Sequence, residues 1–117
     1  MHPVLKEALE RSPVIPVLVI PELSMAKPLA EALASGGLTV FEITLRTACA
    51  LEAMAVMKEA VPDALIGAGT VTNSERVCDA KAFGADFVVS PGTSEFLWQC
   101  SQVEKLPILP GFSTASE

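Results

Sequence analysis

Short β-branched runs and Ala/Leu-rich stretches alternate along this chain at nearly even spacing. The runs are Val14 to Ile20, Thr39 to Thr44, Ala64 to Ile66, Asp86 to Val89 and Leu106 to Leu109, so successive starts are 25, 25, 22 and 20 residues apart. Between them, Ser24 to Ser35 puts Ala26, Leu29, Ala30 and Leu33 on one helical face, and Thr47 to Val61 does the same with Leu51, Met54, Ala55 and Lys58. Lys58 is expected to lay its stem along that apolar face and keep its head in water. Asn73 to Phe83 and Ser94 to Val103 show the spacing more weakly. This is a βα repeat whose strands are apolar on both faces, and such strands belong to a parallel sheet covered by helices.

The punctuation supports the repeat. Gly36-Gly37 ends the first helix, Pro62 stops the second, Thr72-Asn73-Ser74-Glu75 reads as a capping box opening the third, and Gly84 closes it. Pro28 requires the first helix to start near Met25 or later, and Pro16 weakens the first strand by removing a ladder donor. Val88-Val89-Ser90-Pro91-Gly92 is echoed by Ile108-Leu109-Pro110-Gly111, and Ser113 to Glu117 has the look of a further helix opening. Two α/β architectures fit five βα steps: an open doubly wound sheet, or part of a βα barrel. Both put function at the C-terminal ends of the strands.

Charge and cysteine usage exclude several classes. Eight Lys+Arg stand against 14 Asp+Glu, a net −6, and the basic residues are scattered singly. No nucleic-acid partner is expected, because that surface needs clustered cations to replace phosphate counterions. A small anion needs only one or two local cations. No membrane partner is expected either: the apolar run Ser12 to Pro21 carries three prolines and falls short of the ~20 residues of a spanning helix. Cys49, Cys78 and Cys100 form no CxxC pair and read as reduced, packed thiols of a cytoplasmic protein. The N-terminal residues lack the basic-then-apolar form of a signal peptide. His2 is the only histidine and is expected in a mobile terminus, so no His-dependent triad or metal site is expected. Trp98 is expected to pack a helix.

The strand ends carry the candidate chemistry. In Phe41-Glu42-Ile43-Thr44-Leu45-Arg46-Thr47, alternation puts Glu42 and Thr44 opposite Phe41, Ile43 and Leu45. With the apolar face against helices, Glu42 points into the barrel interior or sheet crevice, where desolvation raises a carboxyl pKa toward acid/base duty. Arg46 at the strand's end is placed to hold a carboxylate by paired hydrogen bonds. A solvated Glu42–Arg46 ion pair is the competing reading. Gly67-Ala68-Gly69-Thr70-Val71 lets backbone approach a ligand and frees the Thr70 hydroxyl, or is simply a tight βα turn. It is neither a dinucleotide fingerprint nor a P-loop. Pro91 and Gly92 make a rigid turn that could form a pocket wall. Lys6, Lys27, Lys58 and Lys81 lie in helical segments and Lys105 precedes the fifth strand, so no lysine is at the functional end to form an imine.

Taken in order, Ile15-Pro16-Val17-Leu18, the Phe41–Thr47 segment, Ile66-Gly67-Ala68-Gly69-Thr70-Val71, Val89-Ser90-Pro91-Gly92 and Leu109-Pro110-Gly111-Phe112-Ser113-Thr114 resemble the strand-end motifs of the 2-keto-3-deoxy-6-phosphogluconate (KDPG) and 4-hydroxy-2-oxoglutarate (KHG) aldolases. The resemblance runs from about Pro13 to Glu117. It implies a (β/α)8 barrel of the TIM-barrel class, cytoplasmic and assembled as a homotrimer. It implies cleavage of the phosphorylated sugar acid to pyruvate and glyceraldehyde 3-phosphate through a lysine Schiff base, with no cofactor and no metal, and leaves 4-hydroxy-2-oxoglutarate open as an alternative substrate. Glu42 matches the family's general acid/base, and Arg46 and Thr70 match residues that bind the pyruvate carboxylate. The family's Schiff-base lysine lies on a sixth strand and its phosphate loops later still.

The expectation is therefore the N-terminal portion of one barrel domain, residues 1–117, cut to about five βα units and inactive alone. The alternatives are a non-catalytic shortened paralogue and a self-contained α/β domain binding a small ligand. Composition agrees with an unfinished barrel. Apolar residues make up 50% of the chain, and with glycine about 56%, above the roughly 45–50% of a typical domain. The surplus reads as surface that a missing half, or a partner, should cover.

Overall fold

The computed structural model describes residues 2–111. The Phe112-Ser113-Thr114 part of the last motif and the expected helix opening at Ser113 to Glu117 lie outside the described residues. The elements are α1 (Pro3–Arg11), β1 (Val17–Leu18), α2 (Ala26–Ser35), β2 (Val40–Thr44), α3 (Ala50–Ala60), β3 (Leu65–Gly69), α4 (Ser74–Ala82), β4 (Phe87–Ser90), α5 (Glu95–Val103) and β5 (Ile108–Pro110). All five strands are parallel and stand side by side in chain order.

That order separates the two architectures. A doubly wound sheet reverses its strand order and covers both faces with helices. Here the order never reverses, and α2 through α5 share one core with one face of the sheet. Ala26, Ala30, Met54, Met57, Val77, Ala80 and Leu97 from the helices meet Phe41, Ile43, Ile66, Ala68, Val88 and Ile108 from the strands. This is the arrangement of the (β/α)8-barrel family, present here as five βα units.

The other face is the barrel interior. Leu5 and Ala8 of α1 pack there against Val40 and Phe87, with Ile15, Leu65, Val89 and Leu109 around them. So α1 closes the N-terminal end of the strands. The sequence points to it only through the helical segment around Lys6, and His2 is not part of a mobile tail. His2 is the N-cap of α1, its Nδ1 accepting from the Val4 N–H at 3.2 Å. Arg11 then ties the helix to the turn before β3 by donating to the Asp63 carbonyl at 2.6 Å.

Several boundaries shift for local reasons. The first strand shrinks from Val14–Ile20 to Val17–Leu18. Pro16 has no N–H for the ladder, although its carbonyl accepts from Glu42 N–H at 3.0 Å. The first helix starts at Ala26 after a 3₁₀ turn, leaving Pro28 in the first turn, where its missing donor costs nothing. The second helix starts at Ala50, because the Thr47 hydroxyl donates instead to the Ile20 carbonyl at 2.7 Å. The third is capped by Asn73, not Thr72. Gly84 ends that helix in the left-handed region, with φ 90°, as Gly37 does after α2 with φ 91°. Lys58 reaches past the apolar face to the Ala64 carbonyl at 2.6 Å and to Asp86 Oδ2 at 2.8 Å. The cysteines are free: Cys49 packs half-buried against the core as expected, Cys100 is half-buried, and Cys78 is exposed rather than packed. Trp98 is also 45% exposed and lines a groove along β5 with His2, Leu5 and Gln102.

Candidate active site

Register determines which side chains share the interior. Val17 pairs with Glu42, Glu42 with Gly67, and Gly67 with Phe87. Paired residues of parallel strands project to the same face, so Glu42 sits inside the sheet's concave side, two residues before β2 ends. Phe41 and Ile43 turn to the helices and are fully buried. The alternation read from sequence therefore holds.

Two glycines on β3 shape the space beside Glu42. A Cβ at Gly69 would lie 2.8 Å from Glu42 Cδ and 2.9 Å from Cγ, and closer still to Oε1. The carboxylate thus occupies the volume a side chain at Gly69 would take. Gly67 does the same for Phe87, whose ring would stand 2.5 Å from an added Cβ at Cζ. Phe87 fills the floor of the interior and Glu42 lies above it. Burial pushes the Glu42 carboxyl above the usual carboxylate range, and the Arg46 charge offsets part of the rise.

Arg46 and Thr70 come together at the strand ends. Arg46 Nε donates to Thr70 Oγ1 at 3.3 Å, across 24 residues of chain. Thr70 has φ 60°, an uncommon conformation for a β-branched residue. Such backbone strain concentrates at functional sites, and here it turns the hydroxyl toward Arg46 immediately after the strand. The lone Glu42–Arg46 ion pair is not what forms: the Arg46 side chain is exposed and hydrogen-bonded to Thr70, and the two residues interact through charge.

Pro91 and Gly92 lie at the same end of the sheet, exposed, just past β4. The repeated strand-end sequences are paired in register: Val88 with Ile108, Val89 with Leu109 and Ser90 with Pro110. Gly111 N–H donates to the Ser90 carbonyl at 2.7 Å, and a Cβ at Gly111 would meet the Pro91 carbonyl oxygen at 2.5 Å. The turn that holds Pro91 and Gly92 is therefore braced against the end of β5.

Sequence reasoning missed Arg76. Its Nη1 donates to the Leu45 carbonyl at 2.9 Å, next to Arg46, and its own N–H donates to Asn73 Oδ1 at 2.9 Å. Placing the cap at Asn73 makes Arg76 the third helical residue, in the first turn and beside the strand ends. That shift of one residue was the available signal.

A family model described as KDPG and KHG aldolase matches residues 5–117. The chain belongs to this family. KDPG and KHG aldolase relatives extend well beyond it: the chain spans about half the length of the curated relatives it matches. It is 46% identical over 112 residues to a 2-dehydro-3-deoxy-phosphogluconate aldolase of Dickeya dadantii, a match covering 96% of this chain and 53% of that protein. A crystal structure of the KDPG aldolase of Zymomonas mobilis with 3-phosphoglycerate superposes with a TM-score of 0.90 at 47% identity, covering 96% of this chain and 53% of that one. The KDPG aldolase of Legionella pneumophila, with pyruvate captured as a covalent carbinolamine intermediate, gives a TM-score of 0.91 at 44% identity, covering 99% and 55%. No helix among the described residues is long and apolar enough to cross a membrane.

Proposed function

We propose that residues 1–117 are the N-terminal part of one aldolase barrel and supply its proton-transfer and carboxylate-binding groups. The observation that carries this reading is the Glu42 carboxylate held over Gly69, beside the Arg46–Thr70 pair. The substrate is a phosphorylated 2-keto-3-deoxy sugar acid, cleaved to pyruvate and glyceraldehyde 3-phosphate. Arg46 and the Thr70 hydroxyl bind the keto-acid carboxylate, and Pro91 and Gly92 wall the pocket. Glu42 moves the proton at the carbon that becomes the pyruvate methyl group. A carboxyl with a raised pKa is suited to this task, because it holds a proton in the same range in which it must release one.

The imine-forming amine comes from outside these residues. Lys6, Lys27, Lys58 and Lys81 lie in helices and Lys105 lies at the opposite end of β5 from the Arg46–Thr70 pair. Residues 1–117 by themselves are therefore inactive, and the active family form is a cytoplasmic homotrimer. The aldolase similarity of both sequence and structure supports this over a non-catalytic paralogue or an independent ligand-binding domain. The test is pyruvate release from 2-keto-3-deoxy-6-phosphogluconate, by the isolated 117-residue chain and by the polypeptide at its natural length. Release is expected only from the latter. Release by the isolated chain would contradict the assignment of roles.

A further inference from the structure

We propose that Arg76 is a positioning residue for the keto-acid carboxylate, acting by holding the backbone from which Arg46 projects. The inference rests on the reading of Arg46 and Thr70 as the carboxylate-binding pair. β2 ends at Thr44, and α3 begins only at Ala50, so Arg46 lies in irregular chain. Both polar groups of the Leu45 residue just before it are nevertheless fixed. Its N–H donates to the Gly69 carbonyl at 3.0 Å, and its carbonyl accepts from Arg76 Nη1 at 2.9 Å. The Leu45 side chain is buried in the helix-side core.

Arg76 is itself anchored. Asn73 Oδ1 accepts the Arg76 N–H, and Asn73 follows closely on Thr70. With the chain between them, four hydrogen bonds close a ring: the Leu45 N–H to the Gly69 carbonyl, Arg46 to the Thr70 hydroxyl, the Arg76 N–H to Asn73, and the Arg76 guanidinium back to the Leu45 carbonyl. The ends of β2 and β3 are thereby held at one spacing, the one at which Arg46 meets Thr70. A charged donor on a carbonyl is among the stronger hydrogen bonds available for this. Removing it leaves the Leu45–Arg46 peptide without its fixed partner, and a small misplacement of a substrate-holding group is costly.

The experiment is steady-state cleavage of 2-keto-3-deoxy-6-phosphogluconate by the polypeptide at its natural length. Arg76→Met is expected to raise KM about tenfold with kcat changed less than about threefold and the pH profile unmoved, the pattern of lost substrate binding without lost chemistry. Arg76→Lys, which keeps one charged donor on a long stem, is expected to recover most of the affinity. If Arg76→Met does not fold, Arg76→Gln is the second variant. It stays polar but is too short to reach the Leu45 carbonyl, and the same rise in KM is expected. Arg46→Met runs alongside. A rise in KM for Arg46→Met with none for Arg76→Met or Arg76→Gln would overturn the positioning role alone. No rise for either arginine would overturn the carboxylate reading beneath it. A kcat that falls as far as KM rises, with no recovery in Arg76→Lys, would mark Arg76 as structural and also overturn the inference.

Discussion

The Glu42 carboxylate lies where a side chain on Gly69 would have to be. The two residues are on neighbouring strands and two levels apart, Glu42 pairing with Gly67 and Thr44 with Gly69. The Glu42 side chain therefore leans along its strand toward the C-terminal end and settles over the bare backbone of β3. The glycine gives this carboxylate its place, and the place gives the carboxylate its half-buried setting.

The first prediction follows from that relationship. Gly69→Ala puts a methyl group on the carboxylate, which is the far end of a flexible side chain and swings aside. The fold should survive, with stability within about 1.5 kcal/mol of the parent. Activity at natural length should fall on the order of a hundredfold, the usual cost of displacing a reacting group by about an ångström. Urea unfolding and pyruvate release measure the two effects separately.

Gly67→Ala should behave in the opposite way. Its added methyl meets the ring of Phe87, 2.7 Å away at Cδ2. Phe87 is 1% exposed and packed among Val40, Leu5 and Ala8, so it has nowhere to go. Overpacking of this kind costs about 1–3 kcal/mol. A lowered urea midpoint with an unchanged slope is the expected result. A midpoint equal to the parent's would mean that the ring relaxes freely.

Glu42 also makes stability depend on pH, with a definite sign. Its carboxyl pKa is raised in the folded chain above the ordinary 4.5, so the folded state holds the proton more tightly than the unfolded one. Its contribution is fully present below the unfolded pKa and is lost as pH rises through the folded pKa. Glu42→Gln keeps the shape and removes the ionisation. Relative to the parent it should melt higher at pH 7, and the gain should shrink as pH falls toward 4. A gain that is the same at both pH values would refute the burial effect.

Much of this architecture was legible from the spacing of β-branched runs, because five strands buried on both faces must read as short apolar segments. The facing of Glu42 was legible for a similar reason: the period of two leaves no choice once Phe41 and Ile43 are committed to the helices. What escaped depended on neighbours distant in sequence. Pro3–Arg11 carries Val4, Leu5, Ala8 and Leu9 at helical spacing between its charges, but nothing local says that this stripe floors the sheet interior, where Leu5 and Ala8 become core. Cys78 and Trp98 were expected to pack, but their helices turn those positions outward. Arg76 drew no notice in the sequence, because a cap at Thr72 does not place it in the helix turn that faces the strand ends, whereas the cap at Asn73 does. Periodicity alone does not separate doubly wound sheet from barrel, because it does not encode strand order; the strand-end motifs pointed to the barrel, and the unreversed order of the sheet agrees.

The most direct test of the account is exchange of pyruvate methyl protons with deuterated solvent, followed by NMR in the polypeptide at its natural length. This isolates the proton transfer assigned to Glu42 from cleavage and product release. The account predicts that Glu42→Gln slows the exchange by about 10²–10⁴-fold, the range for losing a general acid/base, while pyruvate still binds. Exchange at the parent rate in that variant would contradict it.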